Sequence, residues 1–165
     1  MSARCLISLD FNESLLTSEE REELSQVSRI SPQDVAEWKT EKGIEQAVRR
    51  NEEYFDNLII STYGIDRMTA PKDSWPFDCR RLTLLGKGLD LKYGRGDDED
   101  FQAYARSSPK FRRFIVMVAK CIIENNLTSV SFYCNQGQHR SVAAATLFRD
   151  RFAKNARIRH LCLKR

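Results

Sequence analysis

The sequence is poor in several features that would narrow its chemistry at once. It has two histidines, too few for a His-rich metal site. Its five cysteines, Cys5, Cys79, Cys121, Cys134 and Cys162, are odd in number and include no CxxC pair. That usage argues against both a zinc site and a disulfide framework, and it fits a reducing intracellular compartment such as the cytoplasm. No apolar run reaches the roughly 18–20 residues that a membrane helix needs. The opening CLISLDF is soon followed by acids and lacks the basic-then-apolar layout of a signal peptide. There is no GxxxxGK[ST] loop, internal repeat or low-complexity tract. No metal, organic cofactor or membrane partner is therefore expected.

What is present is a chain of 165 residues, 41% hydrophobic and 30% charged, enough for one domain with a proper core. Its charge is unevenly spread. Residues 1–57 carry 7 Lys+Arg against 13 Asp+Glu, whereas residues 58–165 carry 20 against 10. We read residues 1–57 as an acidic helical N-terminal extension and residues 58–165 as the main domain. The stretch from Arg149 to Arg165 holds seven bases and one acid. Such a surface draws phosphates, nucleic acid or acidic partners, with a solvated helix face as the plain alternative.

The periodicities place the elements. TSEEREELSQV reads as a loose extension or surface helix. From Ser31 to Phe55 the pattern predicts one helix, with Ser31 as its cap, Pro32 in its first turn and Asp34 completing a capping box. Val35, Trp38, Ile44, Ala47, Val48 and Phe55 form its apolar stripe, and Gly43 weakens its middle. LIISTYG and WPFDCRRLTLL read as strands, with Pro76 near the start of the second. Residues 86–100 hold four of the seven glycines and a run of acids, the mark of a loop or lid. SPKFRRFIVMVAKCIIENN is a strong amphipathic helix between Ser108–Pro109 and Asn125–Asn126. TSVSFYC alternates as a strand, SVAAATLFRDRFAKN is the next helix, and RIRHLCLKR is a final strand or basic tail. The order β, β, α, β, α, β predicts a small α/β domain, a sheet with helices packed on it.

The chemistry concentrates at Cys134-Asn-Gln-Gly-Gln-His-Arg140-Ser141. A strand, this loop and then a helix make an anion cradle, because the first N–H groups of a helix are unpaired and its dipole favours negative charge. Gly137 permits a tight turn, and Arg140 offers two parallel hydrogen bonds to phosphate oxygens. The C-x5-R-S spacing also matches cysteine-dependent phosphatases. On that reading Cys134 is the nucleophile, Arg140 binds phosphate, Ser141 assists thiolate release, and Asp78 or Asp90 serves as the acid. A buried structural cysteine is the bland reading of Cys134. His160 reads as a surface or sheet-edge donor.

Five motifs in order, CNQGQHRSV, STYG, FDCR, GLD and RHLCLKR, resemble the RapZ C-terminal domain family over about residues 58–165. The resemblance implies a sugar-phosphate-kinase-like fold and a non-catalytic regulatory domain. Its implied partners are a phosphorylated small molecule, glucosamine-6-phosphate, and a small regulatory RNA presented to an endoribonuclease. Carried over by position, the anion pocket is Asn135, Gln136, Gly137, His139, Arg140 and Ser141. The RNA-contacting residues are Lys164 and Arg165, with Arg157 and Arg159 beside them. Where the family has two consecutive glycines this chain has Gln136-Gly137, and a tighter cradle is expected. Self-association into a homo-oligomer is left open.

Overall fold

A computed structural model describes residues 41–84 and 88–164. The expectations for residues 1–40, for Gly86 and for Arg165 lie outside the described residues. The helix expected to run to Phe55 is in fact two, α1 (Glu41–Arg50) and α2 (Glu52–Asp56). Asn51 breaks it: its backbone turns to φ −122°, ψ 29°, and its side-chain amide donates to the Ala47 carbonyl at 2.8 Å. Asparagine offers the backbone this alternative to helical pairing. The boundary drawn at residue 57 falls between α2 and the first strand. Ile44, Val48 and Phe55 on its N-terminal side are nonetheless buried in the common core.

Four strands follow: β1 (Ile59–Gly64), β2 (Trp75–Asp78), β3 (Ser129–Cys134) and β4 (Ile158–His160). They form one parallel sheet in the order β2-β3-β1-β4. Three further helices complete the chain: α3 (Glu99–Ser107), α4 (Pro109–Asn125) and α5 (Arg140–Phe152). The α/β architecture is the expected one. The second strand is shorter than expected, and α3 occupies the end of what reads as a glycine-rich acidic loop. Helix α4 ends as its sequence predicts. Ser108 Oγ accepts the Phe111 N–H at 3.5 Å, and Asn126 takes the left-handed conformation at φ 50°.

Strand alternation sorts the two faces of the sheet. Ile60, Val130 and Phe132 lie on the core face. There Phe132 meets Phe77, Phe114 and Phe148 at ring-centroid distances of 5.7, 6.1 and 5.8 Å. Ala143, Ala144 and Ala145 are fully buried, which lets α5 pack closely. On the opposite face Tyr63 stacks on Tyr133 at 5.3 Å, and Ser131 bonds Ser74 at 2.9 Å. The chain leaving β1 therefore returns to β2 across one face, while the chain leaving β3 enters α5 on the other. The two strands lie side by side, and their exits diverge at Gly64 and Cys134. Ligands of open α/β sheets sit at such a divergence, outside the carboxyl ends of the strands.

One cysteine departs from expectation: Cys79, Cys134 and Cys162 are free thiols, but Cys121 is disulfide-bonded. Among the described residues no helix is long and apolar enough to cross a membrane. Phe132, fully buried and ringed by three phenylalanines, is the test of the core. Phe132→Ala is expected to cost about 3–5 kcal/mol, read as a lowered denaturant midpoint at unchanged slope.

Candidate anion-binding site

The loop between β3 and α5 is shaped by backbone contact with the end of β1. Pairing runs on past the strands: the Ile65 N–H donates to the Cys134 carbonyl at 2.9 Å and the Asp66 N–H to that of Asn135 at 3.0 Å. Gly64 and Gly137 meet where the chains cross. A Cβ on Gly64 would lie 2.4 Å from the Gln136 carbonyl carbon. One on Gly137 would lie 2.7 Å from the Gly64 nitrogen, and Gly137 also has φ +72°. Only glycine satisfies both conditions at 137.

Cys134 lies beneath this turn, 2% exposed. Its Sγ accepts the Gly137 N–H at 3.3 Å and pairs with Ser141 Oγ at 3.2 Å. Burial alone would raise its pKa. The hydrogen bonds from the Ser141 side chain and backbone and from the Gly137 N–H, with the Arg140 charge, outweigh burial and hold the thiol below its ordinary value.

In the same loop, the N–H groups of Gln136, Gln138, His139 and Arg140 meet no backbone acceptor among the described residues. Arg140, the first residue of α5, donates to Asn135 Oδ1 at 2.9 Å and to the Arg80 carbonyl. It has no carboxylate partner among the described residues, so its charge is not neutralised by the protein there. His139 stacks on Phe101 of α3 at 5.4 Å and 10°. Burial lowers its pKa, opposed in part by a hydrogen bond to the Gly94 backbone, and so favours the neutral ring.

The structure thus brings Cys134, Asn135, Gly137, His139, Arg140 and Ser141 together. Gln136 belongs to the same loop but points away: its amide bridges Arg67 Nε at 2.9 Å and Asp66 Oδ2 at 3.1 Å. Asp78 ends β2 and is chelated by Arg80, with contacts of 2.7 to 3.1 Å. Burial pushes the Asp78 pKa up, but the Arg80 hydrogen bonds and charge prevail and keep it below its ordinary value. Asp90 spends its Oδ1 on the N–H groups of Lys92 and Tyr93 at 3.0 and 2.9 Å. Arg157, Arg159 and Lys164 are exposed along the C-terminal segment, away from any carboxylate partner among the described residues. His160 sits in the edge strand, its Nδ1 bonded to Thr62 Oγ1 at 2.8 Å.

Three residues passed over in the sequence shape the site. Gln102 of α3 is buried and donates to the carbonyls of Gly96 and Ala143 at 2.8 and 3.2 Å, joining the glycine-rich turn to α5. Arg80 supplies the carbonyl that holds Arg140, and it lies over the Tyr133 ring at 5.5 Å. Gln138 contacts the C-terminal segment. The visible signal for Gln102 is a polar residue in line with Phe101 and Ala105, the helical spacing of α3.

The RapZ C-terminal domain pattern matches residues 56–164. The chain belongs to the RapZ C-terminal domain family. The match begins at the end of α2, takes in the whole sheet, and includes both the cradle and the C-terminal segment. Among curated proteins no match is found.

Two outcomes test this geometry. Gly137→Ala is expected to cost at least the roughly 1–2 kcal/mol of a left-handed alanine, plus the clash with Gly64, read as a drop in melting temperature. For Cys134 the folded pKa lies below the unfolded one. Its ionisation therefore favours the folded state above the unfolded thiol value, and this contribution is lost as pH falls through the folded pKa. Cys134→Ser is expected to flatten that part of the stability–pH curve, and Ser141→Ala to move the thiolate absorbance titration to higher pH.

Proposed function

We propose that the chain is a regulatory binding domain that takes the phosphoryl group of a phosphorylated small molecule into the loop from Cys134 to Ser141. Membership of the RapZ C-terminal domain family supports a regulatory domain of this ligand class, and glucosamine-6-phosphate is the ligand that the family likeness suggests. The observation that carries the reading is the set of N–H groups at residues 136 and 138–140 that meet no backbone acceptor among the described residues, at the start of a 13-residue helix, with Arg140, which has no carboxylate partner there, beside them. Backbone donors, a helix start and a guanidinium are what a phosphate dianion needs. His139, whose burial favours the neutral ring, offers a further hydrogen bond. The exposed Arg157, Arg159 and Lys164, with Arg165 following, suit a second, extended polyanion such as RNA, bound mainly through its phosphates.

One observation favours a second reading. A cysteine with a lowered pKa, a hydroxyl at hydrogen-bond distance and an arginine six residues on are the parts of a cysteine phosphatase. Two features weigh against it. Asp78 is held ionised by Arg80 and has no proton to give a leaving group. Cys134 is almost wholly enclosed.

The experiment is a thermal-shift titration with inorganic phosphate, glucosamine-6-phosphate and unphosphorylated glucosamine. Phosphate ligands at about 100 times Kd add about 2.7 kcal/mol of stability, and glucosamine adds none. Arg140→Ala is expected to weaken phosphate binding by roughly 10- to 100-fold, the weight of charge-assisted hydrogen bonds. A wild type indifferent to every phosphate ligand would sink the reading. Hydrolysis of an aryl phosphate that vanishes in Cys134→Ser would put the phosphatase in its place. For RNA, affinity should fall steeply with salt, and less steeply once Arg157 and Arg159 are replaced.

A further inference from the structure

Gln138 sits in the middle of the cradle loop, and its side-chain amide, which also donates to the Gln136 carbonyl at 3.4 Å, reaches the C-terminal segment. Nε2 donates to the Cys162 carbonyl, and Oε1 accepts the Lys164 N–H at 3.0 Å. An amide that donates to one residue and accepts from the next but one serves an extended segment as a neighbouring strand's peptide group would. The backbone of Gln138 is engaged as well, its carbonyl accepting the Gly96 N–H at 2.8 Å. A second contact lies one residue earlier: a Cβ at position 137 would come within 2.9 Å of Cys162 Cβ. The C-terminal segment is thus packed directly on the turn that shapes the cradle.

The segment does not reach this place by chance of a loose end. β4 pairs with β1 through Ile158, Arg159 and His160. The Leu161 N–H donates to the Thr62 carbonyl at 2.9 Å, and the Thr62 hydroxyl holds the His160 ring. Residues 158–164 therefore follow β1 toward its carboxyl end and close over Gly137. The face of Gly137 that does not bond Cys134 is covered by Cys162.

We propose that Gln138 is a positioning residue that makes the seated C-terminal segment a structural part of the anion site. The inference rests on the anion-binding reading given above. Gly137 presents its N–H to Cys134 only while its backbone holds the left-handed turn, and Cys162 with the Gln138 amide braces that turn from outside. A segment that stabilises the binding form of the loop must itself be stabilised by the bound anion, by the same factor. Anion affinity and docking of residues 162–164 are one linked equilibrium.

The test uses the full chain, wild type and Gln138→Met, at fixed ionic strength. Inorganic phosphate is titrated by calorimetry, and amide hydrogen exchange is followed at residues 161–164 with and without phosphate. Saturating phosphate is expected to slow exchange of the Lys164 N–H by roughly fivefold or more, the lower end of ordinary coupling. Gln138→Met is expected to weaken phosphate binding by a similar factor and to abolish the slowing. Phosphate binding by the wild type with no change at Lys164, or equal affinity in the folded variant, overturns the linkage and leaves the binding reading intact. No phosphate binding by the wild type overturns both. If Gln138→Met does not fold, the wild-type exchange comparison decides alone.

Discussion

The pairing of β1 with β3 is the constraint on which the rest of the molecule depends. Six residue pairs run in register from Ile59 with Ser129 to Gly64 with Cys134. Side chains in a strand alternate between faces, so a slip of one residue would send Phe132 to the tyrosine face and turn Cys134 away from Ser141. The hydrophobic anchor of the register is Phe132 among Phe77, Phe114 and Phe148. The steric anchor is Gly64, which has no room for a side chain against Gln136. Core packing and site geometry are thus two ends of one strand pair.

The electrostatics of the cradle follow from how its charges are shared out. Arg80 is matched to Asp78, and Arg95 to Asp97. Both pairs are partly exposed and add little to stability, and among the described residues Arg140 has no carboxylate partner. Its guanidinium is oriented by neutral oxygens, from Asn135 and the Arg80 backbone. The Arg140 charge that would serve a phosphate also favours a thiolate at Cys134, whose hydrogen bonds come from Gly137 and Ser141. The pairing of Asp78 with Arg80 bears on the second use, because it holds that carboxyl below its ordinary pKa.

Much of this was legible in order along the chain. Helix α4 announces itself through Ser108, Pro109, a clean apolar stripe and Asn126, all of which act locally. The strand, loop and helix from Ser129 to Phe152 are legible for the same reason. Helix α3 is not, because its nine residues follow a run of glycines and acids and hold few core side chains, chiefly Phe101 and Ala105. The break at Asn51 escapes notice because the apolar stripe continues through Val48 to Phe55 on both sides of it. Gln136 and Gln138 flank Gly137 and look equivalent in the sequence. One turns to the chain after β1 and the other to the C-terminal segment.

The sequence by itself determined the local arrangement: a cysteine, a glycine, an arginine and a helix start within eight residues, the pattern of a strand, a tight loop and a helix. Local steric and hydrogen-bonding rules suffice for that. Tertiary structure decided which groups remain available to a ligand. The partners that settle it lie far away in the chain: Arg80 is 60 residues from Arg140, and Cys162 is 24 from Gln138. Those distances close only when the parallel sheet brings the carboxyl ends of its strands to one edge, and no local pattern in the sequence encodes that meeting.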